Sequence, residues 1–168
     1  MSGQIQKLRG RVAAVLGDNI DTDLIYPGRY LNITDREKTA EHLFELAYPE
    51  IRDALKAGDI IVGGRNFGCG SSREQATAAV KFSGAGAVIA KSFARIFFRN
   101  SINLGLPVVT AAVEARAGDH LEIDLATGRI ANLTTGAVFA AAPLDPRAVE
   151  LLEAGGLIPY LKRKHHAA

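Results

Sequence analysis

The sequence predicts an α/β domain with a mixed β-sheet and flanking helices. Two observations carry that expectation. Between residues 59 and 109, short apolar runs alternate with helix-like runs, the pattern of parallel strands joined by helices. Beyond residue 120 the pattern changes to strict apolar/polar alternation with two closely spaced Thr-Gly turns, which argues for an antiparallel meander. At 168 residues, 48% apolar and 23% charged, the chain is long enough to bury a core. Residues 1–168 are expected to be one domain without an internal linker.

Residues 11–16 read as a short buried strand, 17–23 as a polar turn, and Pro27-Gly28 as further punctuation. Thr34-Asp35-Arg36-Glu37 fits a capping box. Ala40, Leu43, Phe44 and Ala47 follow at helical spacing, so a helix is expected until Pro49 breaks it. A second short helix is expected over 50–55. Then come a strand at 59–63, a helix over 72–82 and a strand at 87–90. Ser92 is expected to cap a helix that runs to about Asn103 and stops at Gly105. Residues 107–109 form the next strand and 120–125 a half-exposed one. The echo between 125–130 and 133–138 is hairpin chemistry and not a repeat array. Asp145-Pro146 starts a last helix that ends at Gly155-Gly156. The basic run Lys162-Arg163-Lys164-His165-His166 is expected to be a solvated tail.

Composition narrows the function classes. The formal net charge of +2 is too small to argue for nucleic acid. The stretch from Met1 to Lys7 lacks the apolar core of a signal peptide, and no apolar run approaches a membrane span, so a cytoplasmic location is expected. Cys69 has no cysteine to pair with, and alone it can neither build a structural zinc site nor hold an iron–sulfur cluster. His42, His120, His165 and His166 show no metal-ligand spacing, and His42 is expected to be exposed. A metal in the chemistry would need ligands from elsewhere.

The most informative stretch is Gly63-Gly64-Arg65-Asn66-Phe67-Gly68-Cys69-Gly70-Ser71-Ser72-Arg73-Glu74, a glycine loop between a strand and a helix start. Such a loop presents backbone N–H groups and hydroxyls to an anion, and Arg73 adds a planar fork suited to carboxylate or phosphate. The residues satisfy neither the dinucleotide fingerprint nor the Gly-Lys-Ser/Thr phosphate loop. A plain helix cap is the simpler reading, since Ser71-x-x-Glu74 and Ser72-x-x-Gln75 both fit a capping box. It leaves the glycines unexplained, as well as an arginine in the first turn, where a cation opposes the helix dipole. Asp18, Asp21 and Asp23 lack the glycine and glutamate of a calcium loop, so turn chemistry is the alternative. Arg95, Arg99 and Asn103 share one helical stripe, with Phe93, Ile96 and Phe97 on another face. The stripe is either a solvated basic face or a surface that meets a partner or supports the site.

Four separated motifs, 17–23, 28–31, 63–74 and Ser-Phe-Ala-Arg-Ile-Phe at 92–97, resemble the small subunit of 3-isopropylmalate dehydratase. The homoaconitase small subunit and the swivelling C-terminal domain of aconitase are similar in the same places, and the likeness covers nearly the whole chain in order. It implies a swivelling β/β/α domain and a large-subunit partner carrying a 4Fe–4S cluster, with no cofactor held by this chain. It also implies a di- or tricarboxylate substrate that is dehydrated and rehydrated, the cluster acting as a Lewis acid. Carried over by position, Ser71 would be the catalytic base and Ser72 would support it. Arg73 would bind a substrate carboxylate, and Asp23 matches an active-site aspartate. Cys69 stands at a position that is alanine in some relatives, so it reads as a small residue beside the loop.

The likeness attributes substrate choice to a loop that here reads Tyr30-Leu31-Asn32-Ile33. It matches neither the Tyr-Leu-Arg-Thr of archaeal-type isopropylmalate enzymes nor the Tyr-Leu-Val-Tyr of homoaconitases. Isopropylmalate is the expected substrate because leucine synthesis is the commonest setting of this subunit type. Homoaconitate, dimethylmalate and other methylated malates are the alternatives. A non-catalytic anion-binding module that has kept the fold is the alternative of a different class.

Overall fold

A computed structural model describes residues 7–167; the N-terminal stretch read above for a leader lies mostly outside them. Its centre is a seven-stranded mixed sheet in the order β4-β3-β2-β1-β5-β6-β7. The strands are β1 (Lys7–Val15), β2 (Ile60–Gly63), β3 (Ala87–Ala90), β4 (Val108–Thr110), β5 (His120–Asp124), β6 (Arg129–Asn132) and β7 (Val138–Ala140). From β1 to β4 every pairing is parallel; from β1 through β5 and β6 to β7 every pairing is antiparallel. β1 therefore belongs to both halves. A register shift between Val12 and Ala14 marks where its pairing with β2 changes.

The two halves follow from their residues. Every residue of Ile-Ile-Val-Gly in β2 and Ala-Val-Ile-Ala in β3 is buried, as continuous apolar runs are when helices cover a parallel sheet. β5 alternates, with Leu121 and Ile123 buried and His120 exposed, so one face meets solvent. The turns after β5 and β6 close on Gly128 and Gly136, as the Thr-Gly echo predicts.

The helices are α1 (Thr22–Ile25), α2 (Arg36–Thr39), α3 (Pro49–Ala54), α4 (Glu74–Phe82), α5 (Arg95–Leu104), α6 (Pro146–Ala154) and α7 (Leu157–Ala167). Gly105 ends α5 in the left-handed conformation and Asp145 caps α6, both as expected. Four expectations need correction. The helix foreseen after Thr34 shrinks to α2 and a 3₁₀ turn at Ala40–His42. Its cap is Asp35, and Leu43 turns out of helical geometry so that Phe44 can donate to the Ile25 carbonyl; both apolar side chains are buried, but from a turn. Proline begins α3 at its first turn instead of only breaking what precedes it. α4 and α5 start later than the serines that were expected to cap them. The basic tail is helical: it forms α7, beyond the helix expected to be last.

Candidate active site

The C-terminal ends of the parallel strands gather the site, the usual location for a ligand in such sheets. β1 runs into residues 16–21, β2 into the glycine loop, and β3 into residues 91–94. The three segments are stitched together by backbone bonds. Gly68 N donates to the Ile20 carbonyl at 2.7 Å and Thr22 N to the Cys69 carbonyl at 2.8 Å. Phe67 N donates to Ser92 O at 3.0 Å and Ala94 N to Phe67 O at 2.9 Å. The Ser92 hydroxyl, expected to cap a helix, instead accepts from Asn66 N at 2.7 Å.

Phe67 anchors the loop from below. It is fully buried and lies edge-on to Phe93 and Phe97. Gly68 above it has a φ of 82°, and a Cβ there would run into the Phe97 ring. Gly70, at φ 92°, turns the chain upward.

Ser71 and Ser72 emerge exposed, and their hydroxyls bond to no group among the described residues. The Thr22 hydroxyl fixes the Ser71 carbonyl at 2.9 Å. The N–H groups of Gly70, Ser71 and Ser72 donate to no acceptor among the described residues. The helix-cap reading of this loop does not hold. The N-cap of α4 is Arg73, and no side chain caps the helix. Glu74 pairs with Arg36 at 2.7 Å, and Gln75 donates to the Leu31 carbonyl at 3.3 Å.

Arg73 is largely sheltered. Its Nη1 donates to Asp23 Oδ1 at 2.8 Å and to the Tyr26 carbonyl at 3.4 Å. The same Asp23 oxygen accepts from Gly28 N at 2.9 Å. Together the Arg73 guanidinium and the Gly28 N–H hold the Asp23 carboxyl below its ordinary range. A Cβ at Gly28 would sit 3.3 Å from Arg73 Nη2 and 3.4 Å from Asp23 Oδ1, so this glycine lets the pair lie flat against the chain. The other two aspartates have turn and cap duties. Asp18 accepts from Arg65 N at 2.7 Å, and Asp21 caps α1 by accepting from Leu24 N at 2.8 Å. The turn reading of the acidic cluster is the one the structure supports.

Tyr30, Leu31, Asn32 and Ile33 are not among the residues that line the cleft. Residues Gly28–Tyr30 form a 3₁₀ turn, and Tyr26 Oη donates to the Tyr30 carbonyl at 2.7 Å. The Tyr30 ring stacks on His42 with centroids 3.6 Å apart, and Arg29 lies over it at 4.9 Å. His42 is thus half-buried in an aromatic stack, not exposed. Glu45 accepts from Arg29 at 3.0 Å, and its other oxygen lies 3.2 Å from His42 Nδ1. Burial alone would raise the Glu45 carboxyl, but Arg29, Tyr30 and His42 outweigh it and hold the group at about 2. Sequence reasoning missed this box, although the three-residue spacing of His42 and Glu45 carried a signal.

The serines and Arg73 open onto a cleft of about 900 Å³ whose far wall is the start of α5, with Phe93, Arg95, Ile96 and Arg99. The basic stripe therefore shares the cleft with the loop. Of Phe93, Ile96 and Phe97, expected on another face than the stripe, Ile96 is exposed and lines the cleft, and only Phe97 is buried. Cys69 is half-buried, and burial followed by the charge of Asp21 pushes its thiol up, away from thiolate chemistry.

The model of the aconitase C-terminal domain family matches residues 2–113. The chain is 53% identical over 156 residues to the methanogen homoaconitase small subunit of Methanothermobacter thermautotrophicus, covering 92% of this chain and 91% of that one. It is 53% identical over 162 residues to the 3-isopropylmalate dehydratase small subunit of Aquifex aeolicus, covering 94% and 96%. It is 51% identical over 160 residues to the isopropylmalate/citramalate isomerase small subunit of Methanocaldococcus jannaschii, covering 94% and 95%. The crystal structure of a 3-isopropylmalate dehydratase from that organism superposes with a TM-score of 0.87 at 44% identity, covering 96% of each chain.

Proposed function

This chain belongs to the aconitase C-terminal domain family, and from that premise we propose that it is the small subunit of a hydro-lyase of the 3-isopropylmalate dehydratase type. The enzyme isomerises a 2-hydroxy acid by removing and re-adding water. In this reading residues 1–168 act as one swivelling domain in the cytoplasm, with a large subunit closing over the cleft. Isopropylmalate is the proposed substrate, supported by the Aquifex relative and the solved structure, which carry that activity in their names. The homoaconitase and citramalate names of equally similar relatives set the competing substrates.

The observation that carries the reading is that Ser71, Ser72 and Arg73 line one cleft, with neither serine hydroxyl bonded to any group among the described residues. In the dehydration direction the anionic Ser71 Oγ takes the proton from the carbon next to the hydroxyl-bearing carbon; the C–H electrons form the double bond, and the hydroxyl leaves with its C–O electrons as hydroxide, which takes up a proton from solvent to become water. Re-addition at the neighbouring carbon returns the proton. Serine is a weak base, so its anionic form needs stabilisation. The free N–H groups of Gly70, Ser71 and Ser72 and the adjacent guanidinium are preorganised for that. Ser72, whose hydroxyl is unbonded among the described residues here, is assigned to support Ser71 by a hydrogen bond formed once substrate is bound. Arg73, held by Asp23, presents the rest of its fork to a substrate carboxylate. The residues of this chain do not fit a 4Fe–4S cluster: the single cysteine is half-buried with its thiol pushed up. The cluster is assigned to the large subunit, and no step is derived through it.

Replacing Ser71 by Ala in the reconstituted two-subunit enzyme is expected to lower kcat by about 10²–10⁴-fold with KM nearly unchanged. Equal turnover without the hydroxyl would remove Ser71 as the base. Parallel assays with isopropylmalate, homoaconitate, citramalate and dimethylmalate decide the substrate.

A further inference from the structure

Ser71 and Ser72 stand at an open surface, and the base chemistry proposed above needs water excluded. A partner that closes the cleft must rest on whatever surrounds it. Four cations do. Arg95 and Arg99 lie on the α5 wall. Arg65 and Lys91 follow the ends of β2 and β3, drawn together where Lys91 N donates to Gly64 O at 3.0 Å and Asn66 N to Ser92 Oγ at 2.7 Å. All four are exposed, and none makes an ion pair, side-chain hydrogen bond or ring contact among the described residues. The contrast with the arginines of the glycine loop and its adjoining segment is direct: Asp23 compensates Arg73, Glu45 compensates Arg29 and Glu74 compensates Arg36.

Nothing in the chain relieves this rim. No Asp or Glu lines the cleft, and Asp18 accepts from the Arg65 backbone N–H at 2.7 Å. Arg95 and Arg99 stand four residues apart, where like charges repel. Arg95 also opens the first turn of α5, where a cation opposes the helix dipole, and that turn has no acidic residue and no side-chain cap. Carboxylates brought from outside the chain remove each of these costs. The rim is held in shape as well: Asn19 and Asn66 are both left-handed, at φ 58° and 59°, and Asn66 Nδ2 donates to Asn19 Oδ1 at 3.1 Å beside Arg65. Ile96, 43% exposed between Arg95 and Arg99, adds an apolar contact.

We propose that Arg65, Lys91, Arg95 and Arg99 form a cationic docking rim for the large subunit, which meets them with carboxylates on its facing surface. The inference rests on the small-subunit reading above. The formal net charge of +2 is too small to favour a polyanion; a local patch of one sign suits a folded surface of the other. Charge placed this way speeds and orients encounter more than it deepens affinity.

The test titrates the purified chain with the large subunit of a 3-isopropylmalate dehydratase and reads association rate and Kd at about 20 and about 300 mM salt. Native association should slow by about 10-fold or more at the higher salt. Arg95→Glu, Arg99→Glu and the double variant Arg65→Glu/Lys91→Glu should each raise Kd about 10-fold, mainly through a slower on-rate, and flatten the salt dependence. Turnover lost at limiting partner should return as the partner is raised. Arg95→Glu puts an anion in the first turn of α5, which favours the helix, so its Tm should not fall and unfolding cannot account for weak docking. Arg129→Glu, on β6 and away from the cleft, should associate as the native chain does. Reversal variants that associate as fast and with the same salt dependence as the native chain would overturn the rim. So would an equal loss in Arg129→Glu, or low turnover at saturating partner with Kd unchanged. Ser71→Ala measured alongside separates the two ideas. An active Ser71→Ala enzyme whose reversal variants dock poorly removes the base and keeps the rim; an inactive one whose reversal variants dock normally does the reverse. A native chain that binds no large subunit at either salt removes the small-subunit reading and the rim with it.

Discussion

The parallel half of the sheet, from β4 to β1, and the antiparallel half, from β5 to β7, are built on opposite patterns. β2 and β3 are buried at every residue, so these two central strands of that half show solvent no side chain. Its polar groups are displaced to loops beyond the strand ends, where three segments converge and Ser71, Arg73 and Arg95 meet. β5 alternates buried and exposed residues, its turns are short, and no residue of β5, β6 or β7 lines the cleft. Two-sided burial forces chemistry outward to the loops; one-sided burial lets a strand end in a tight turn with nothing to assemble.

Core truncations on the two sides sharpen that contrast most. Phe67→Ala should cost about 3–5 kcal/mol of stability and Leu121→Ala about 2–5 kcal/mol, read by denaturant unfolding. Only Phe67→Ala should also lower kcat at a temperature where both variants are folded. A matching kcat loss in Leu121→Ala would erase the division between the halves. A smaller effect concerns the box behind the Tyr30–Ile33 segment. The depressed Glu45 carboxyl stabilises the fold above its unfolded value, near 4.3, and that contribution is lost as pH falls through about 2. The Tm of Glu45→Gln should therefore lie below that of the native chain at neutral pH, and the two should converge as the solution is acidified toward pH 2. A gap independent of pH would deny the charge any part. The smallest effect is expected inside α4, where the Thr77 hydroxyl is buried with no hydrogen-bond partner among the described residues. Thr77→Val should raise stability by about 1 kcal/mol and leave turnover as it was; a drop in Tm would show that the hydroxyl is satisfied.

Local chemistry made most of the fold legible. Apolar runs gave β2 and β3, alternation gave β5, and capping residues gave both ends of α6 and the stop of α5. Where a tertiary contact competed with a local pattern, the tertiary contact won. Leu43 and Phe44 have helical spacing, yet Phe44 sits at φ 53° because its N–H goes to the Ile25 carbonyl and its ring to the core. Ser92 looks like a cap, yet its hydroxyl serves Asn66 across 26 residues of sequence. The glycine loop and Arg73 were readable as a candidate anion site from residue types. That Arg73 would be met by Asp23, 50 residues earlier, and faced by Arg95 depends on strand order, which no local pattern encodes.

The backbone bonds that tie Gly68 to Ile20 and Phe67 to Ser92 have a consequence for assembly. Because the loop is pinned from two sides inside this polypeptide, a large subunit that closes over it, as proposed above, would freeze little additional chain. In that proposed assembly the entropic cost of association would fall mainly on a few exposed side chains, and the loop would not have to refold each time the partner came and went.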